Sequence, residues 1–221
     1  MKSLSLLLVM MPFSIASFAL NTVEQQWINA VSKTYGQYAA KRTNTWITEM
    51  NSLKQDSEMH KLEGVNAFFN QLNFVDDIDL WGKKDYWATP LEFIGSNAGD
   101  CEDFTIAKYF SLLELGISDT KLRLVYVKAI QLNQFHMVLA YYEKPNSVPI
   151  ILDNINPIIM PATKRSDLLP IYSFNGKNLW LMKEKASGEL AGNASRLSLW
   201  NDLRSRNKSL KLNTPKRNYN E

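Results

Sequence analysis

Only one cysteine, Cys101, and two histidines, His60 and His136, occur in the 221 residues of the chain. A single thiol excludes an intramolecular disulfide and any cysteine-built zinc site. The chain has no GxxxxGK phosphate loop and no internal repeat, which disfavours nucleotide hydrolysis and repeat architectures. Net charge is small, +3, and the basic excess lies mostly between Arg196 and Arg217, so composition calls for no nucleic-acid or other special partner. Long apolar runs are missing as well. The run from Leu4 to Ile15 is too short to span a bilayer comfortably.

That run has another use. Lys2 precedes it and the small residues ending at Ser17-Phe18-Ala19 follow it, the pattern of a secretory signal cleaved after Ala19. Residues 1–19 are therefore expected to be removed on export to an oxidising compartment. A lone cysteine in such a protein is either a buried inert thiol or a reactive group. With 45% apolar and 11% aromatic residues, the mature chain can bury a substantial core. One domain, residues 20–205, accommodates it. Residues 206–221 are expected to be a flexible basic tail.

Hydrophobic spacing divides the domain into a helical front, a central cysteine segment and a strand-rich back, an α+β arrangement. Val23, Trp27, Val31, Tyr35 and Tyr38 recur at helical spacing, Trp46, Ile47, Met50 and Leu53 continue past Gly36, and Met59, Leu62, Val65, Phe69 and Leu72 give a further helix. These N-terminal helices occupy 20–75. The catalytic core is expected over 76–185, opening with an irregular stretch to Gly99 that holds Trp81, Tyr86 and Trp87 as groove walls or a lid. A terminal helix is expected over 194–205.

From Asp100 the pattern turns helical, with Phe104, Ala107 and Leu115 at core spacing, so Cys101 falls in the first turn of a helix. Free backbone amides and the positive dipole end there favour a thiolate and lower the thiol pKa. His60 lies among Glu58, Lys61 and Glu63 on a polar helix side, whereas His136 begins the strand-like run His136-Met137-Val138-Leu139-Ala140-Tyr141-Tyr142. A second strand, Val148 to Asn154, follows. A turn centred near Lys144-Pro145 sets His136 opposite Asp153, and a slip of one residue would turn them to opposite faces. Cys101, His136 and Asp153 then supply nucleophile, base and orienter in that chain order. The Cys101 amide is one oxyanion donor, with Asn97 or Trp87 as candidates for the second.

These residues resemble the bacterial transglutaminase-like cysteine proteinases. The resemblance runs from Trp81 to Trp180 and is carried by Trp87-Ala88-Thr89-Pro90-Leu91-Glu92-Phe93, Gly99-Asp100-Cys101-Glu102-Asp103-Phe104, His136-Met137-Val138-Leu139 and Leu152-Asp153-Asn154, with Arg165-Ser166-Asp167-Leu168 extending it. It implies a papain- or transglutaminase-like core and a cysteine protease with Cys101, His136 and Asp153 as triad. It further implies a Ca2+ requirement met by Asp100 and Glu102, with Asp103 an adjacent candidate; Asp76, Asp77 and Asp79 are conceivable contributors. The implied setting is the periplasm. There the implied substrate is the N-terminal region of a large surface adhesin, cut at a di-alanine site so that the biofilm disperses. An inner-membrane cyclic di-GMP receptor is implied as inhibitory partner, with Trp81 and Trp87 as plausible anchors or else core residues. The same triad would serve a transglutaminase or deamidase, and a noncatalytic binding protein could keep the fold.

Overall fold

The computed structural model describes residues 20–182 and 188–220. The expected signal peptide lies outside the described residues. Among those described, no helix is long and apolar enough to cross a membrane.

The helical front forms as the spacing requires. Helix α1 spans Thr22–Tyr35 and opens on a capping box in which Asn21 and Glu24 satisfy each other's backbone amides. Gly36, at φ +90°, ends it and starts α2 at Gln37–Leu53, a backbone turn that side-chain-bearing residues rarely make. Helix α3 follows at Glu58–Phe69. Strand β1, Asn73–Phe74, and the short helix α4, Asp77–Leu80, come next.

The stretch expected to be irregular up to Gly99 holds one more helix. Thr89 and Glu92 form a second capping box, Pro90 sits in the first turn, and α5 runs Pro90–Ser96. Its seven residues are buried all round, so no amphipathic period marked it. Strand β2, Ala98–Gly99, leads into α6, Cys101–Glu114.

The back of the domain is one seven-stranded sheet. In chain order its strands are β3 (Leu122–Ala129), β4 (Gln134–Tyr141), β5 (Ile150–Leu152), β6 (Met160–Pro161), β7 (Leu168–Phe174), β8 (Asn178–Met182) and β9 (Gly188–Asn193). They lie in the order β6-β5-β4-β3-β7-β8-β9, antiparallel throughout. Helix α6 packs on β4 and β3, with Phe104, Ile106, Ala107 and Leu112 buried. The fold is the α+β arrangement expected.

The terminal helix α7, Ser198–Ser209, starts four residues later and ends later than expected. Its Trp200 is fully buried, edge-on to Tyr109 and Phe174. Its Arg206 is buried too, bonded to Glu92 and donating to the Trp87 carbonyl at 2.6 Å. Beyond it the chain is no frayed tail. The Asn213 amide donates to Glu92 at 2.8 Å, its carbonyl accepts from the Tyr35 hydroxyl at 2.6 Å, and Asn220 is buried against the Gly95 carbonyl at 3.0 Å. Polar groups around α5 need partners, and the tail supplies them. Its charge gave no sign of this.

Candidate active site

Two ladders meet at the site. The parallel β1–β2 pair sets Phe74 beside Gly99, and the Val75 amide donates to the Gly99 carbonyl at 2.9 Å. This brings Asp77, at the start of α4, next to Asp100 and Glu102 at the start of α6. Gly99 is required there, since a Cβ on it would lie 2.5 Å from Asp103 Oδ2. On the other side, Thr105 of α6 donates to the Met137 carbonyl at 2.9 Å, fastening the nucleophile helix to the histidine strand.

Asp153 and His136 do meet, by a register two residues from the one expected. Leu139 opposes Leu152, not Ile150, so Asp153 lies just past β5 and diagonal to His136. A shift of two keeps both side chains on one face. His136 Nε2 and Asp153 Oδ1 are 2.7 Å apart, and both residues are buried. The second Asp153 oxygen, Oδ2, accepts from Arg165 Nη2 at 2.7 Å, while the Ile155 amide donates to Oδ1 at 3.0 Å. Burial alone would raise the pKa of this carboxyl, but the His136 and Arg165 bonds prevail and hold it down to about 2. An ionised Asp153 requires the proton on His136 Nε2, which leaves Nδ1 for exchange with another group.

Cys101 opens α6 and shares a cavity of about 520 Å³ with His136, Trp87, Tyr126, Phe135, Ile155 and Tyr172. Its thiol donates to Glu102 Oε2 at 3.0 Å. The expected lowering of its pKa is not found. Burial, then the charges of Glu102 and Asp100, push the thiol well up, with the Met137 amide acting the other way. The helix dipole is outweighed by two adjacent carboxylates.

Those carboxylates form a group. Asp77, Asp100 and Glu102 each offer an oxygen, all within 4.8 Å of one another. Oδ1 of Asp77 and Oδ1 of Asp100 are buried with no hydrogen-bond partner among the described residues. Desolvation and the neighbouring negative charges push Asp77 up to about 7 and Asp100 to about 12. Hard oxygen donors that are crowded and under-satisfied suit a divalent cation such as Ca2+, with the remaining ligands from backbone or water. Asp100 and Glu102, the two ligands that the resemblance implies, are both members of this group. Asp103 does not join them: it is fully buried behind the cluster, and its Oδ1 accepts the Ala88 amide at 2.7 Å. Asp77 is the third member of the group, and only the long-range β1–β2 pairing brings it there.

Trp81 and Trp87 are 9% and 7% exposed, the core alternative of the two readings that the sequence left open. Trp87 stacks on Phe174 at 5.6 Å and lines the Cys101 cavity, while the Asn97 side chain donates to the Tyr219 carbonyl at 3.0 Å. Of the two candidate oxyanion donors, Asn97 is committed elsewhere. His60 is exposed, as expected. Arg165 was visible only as part of a matching string, without a role.

The family model described as bacterial transglutaminase-like cysteine proteinase, BTLCP, matches residues 28–181, well over half of the chain. Solved structures of LapG from Legionella pneumophila are similar over most of the chain. One is 39% identical with a TM-score of 0.73, over 83% of this chain and 96% of that one. An EGTA-treated form is 40% identical with a TM-score of 0.74 over the same shares, and a calcium-bound form 39% identical with 0.72, over 83% and 98%. No curated protein matches the chain. The chain belongs to the bacterial transglutaminase-like cysteine proteinases and is a cysteine protease of the LapG type.

Proposed function

We propose that this protease is a calcium-dependent endopeptidase of the periplasm that cuts the N-terminal region of a large surface adhesin at a di-alanine site. Release of the adhesin would disperse the biofilm, and the periplasmic domain of an inner-membrane cyclic di-GMP receptor would restrain the enzyme. The observation that carries the reading is the 2.7 Å His136–Asp153 pair, whose His136 lines the same cavity as Cys101. The relative's solution in calcium-bound and EGTA-treated forms supports a metal for Asp77, Asp100 and Glu102.

In this reading His136 Nδ1 takes the Cys101 proton while Asp153 holds the ring and stabilises the imidazolium. The thiolate attacks the scissile carbonyl carbon, and the Cys101 amide donates to the oxyanion. Collapse forms a thioester and expels the amine, which His136 protonates; water, deprotonated by His136, then releases the acid and restores the thiol. Calcium, when bound, supplies positive charge beside the carboxylates that otherwise oppose a thiolate.

Purified protein incubated with the N-terminal adhesin fragment, with and without EGTA and alongside Cys101→Ala, tests the proposal. Two fragments ending at the di-alanine site, lost with EGTA and with Cys101→Ala, are the expected result. A one-dalton gain or an amine adduct without scission would mark a deamidase or transglutaminase instead.

A further inference from the structure

Arg165 sits on the turn after β6, far from the cysteine helix in sequence, and is 4% exposed. An arginine so placed is seldom buried without an acid. It has two: Nη2 donates to Asp153 Oδ2 at 2.7 Å and to Asp167 Oδ2 at 2.8 Å, while Nε donates to Asp167 Oδ1 at 3.0 Å. Asp167, one-third exposed, grips the guanidinium from outside, and the guanidinium grips Asp153 from behind. The Asn70 side chain also holds the Asp153 carbonyl, at 2.9 Å.

We propose that Arg165 is a positioning residue for catalysis: it locks the Asp153 carboxylate in the orientation that fixes the His136 ring. The inference rests on the triad of the proposed function. A carboxylate bound at only one oxygen can rotate, and its hydrogen bond to a ring is then shared among orientations. With Oδ2 on Arg165 and Oδ1 on His136, Asp153 has one arrangement that satisfies both, so the imidazole presents Nδ1 at a fixed place. The pair is also electrically balanced. The charged groups facing Asp153 are His136 from β4, Arg165 from the turn after β6, and Lys108 from α6, which burial lowers to about 7 and Asp153 opposes; Asp167 faces it only through Arg165.

Two variants separate positioning from mere structure. Arg165→Met removes every donor. Arg165→Lys keeps one cation, enough for the single bond to Asp153 although not for the fork on Asp167. Where the variant is folded by circular dichroism, kcat on the adhesin fragment should fall on the order of 10- to 100-fold in Arg165→Met with KM within about two-fold, and recover in part in Arg165→Lys. Asp167→Asn, which loosens only the outer grip, should fall between wild type and Arg165→Lys. Ring nitrogen NMR of the mature protein gives a readout independent of substrate. His136 and His60 are the two signals, and the His136 Nε2–H tautomer should lose population in Arg165→Met while His60 does not move. If Arg165→Met does not fold, Arg165→Lys and Asp167→Asn carry the same test. Folded variants with wild-type kcat and an unchanged His136 spectrum would overturn the proposal. Wild-type protein that fails to cut the fragment would sink the proposed function, and the NMR comparison would still judge Arg165.

Discussion

The two walls of the cleft are built on opposite electrostatic plans. On the sheet side, the Asp153 carboxylate lies between the His136 ring and the Arg165 cation, and both its oxygens are bonded. On the helix side, Asp77, Asp100 and Glu102 converge with the same sign, and two of their buried oxygens lack a protein partner. In the first set both Asp153 oxygens are satisfied by the chain's own atoms, and Arg165 Nη1 is the one buried polar atom without a partner among the described residues; a carboxylate held at both oxygens is what orienting a proton-transfer group demands. The second is a donor set, and its geometry fits a hard cation beside the nucleophile. Under the proposed function, reactivity of Cys101 depends on the side that the chain alone leaves electrostatically unfavourable.

The comparison breaks most severely at Asp153. Asp153→Asn keeps the shape but offers the ring an ambiguous partner, and a comparable change in a serine triad costs about 10⁴-fold in kcat. Steady-state cleavage of the adhesin fragment measures it. A loss under ten-fold would show that the sheet side is not the orienting side.

On the helix side, Asp77→Asn and Glu102→Gln should each abolish stabilisation by calcium. For the parent protein, calcium at about 100 times its Kd should add about 2.7 kcal/mol, read as a rise in Tm. Equal calcium-induced shifts in parent and variants would remove these residues as ligands.

Acid sharpens the contrast. Asp153 is held to about 2 against an ordinary 3.8, so in the unfolded chain it takes up its proton first as pH falls. Its contribution is present above about pH 4 and is lost as pH falls toward 2, an effect of about 2 kcal/mol. Denaturant melts at pH 6 and pH 2 should lose less stability in Asp153→Asn than in the parent. An identical loss would remove the pair from the acid response.

The smallest effect belongs to a position on neither wall. Thr89→Ala removes the side-chain acceptor for the Glu92 amide at the start of α5 and should lower stability by about 1 kcal/mol. Calcium response and kcat should stay unchanged; a change in either would mean that α5 takes part in the site.

Much of this was legible in the chain. The helices around Trp27, Trp46 and Val65 follow apolar spacing, and Cys101, His136 and Asp153 were readable because they lie at or near the ends of regular elements: Cys101 opens α6, His136 is the third residue of β4, and Asp153 directly follows β5. The register error was harmless because strand faces repeat every second residue. Helix α5 escaped notice because burial on all sides erases the amphipathic signal. Asp77 and Arg165 escaped for a different reason: each reaches the site through pairing that no local pattern encodes, Asp77 by the β1–β2 ladder and Arg165 by the fold-back after β6. The ordered tail belongs with them, since its partners Tyr35, Arg42 and Glu92 are more than a hundred residues away.

The most direct measurement is calorimetric titration of calcium into chelator-stripped protein, run beside cleavage of the adhesin fragment by the same samples. The account requires calcium binding, lost in Asp77→Asn and Glu102→Gln, with scission returning in proportion to occupancy. Full scission by protein shown to be calcium-free would contradict it.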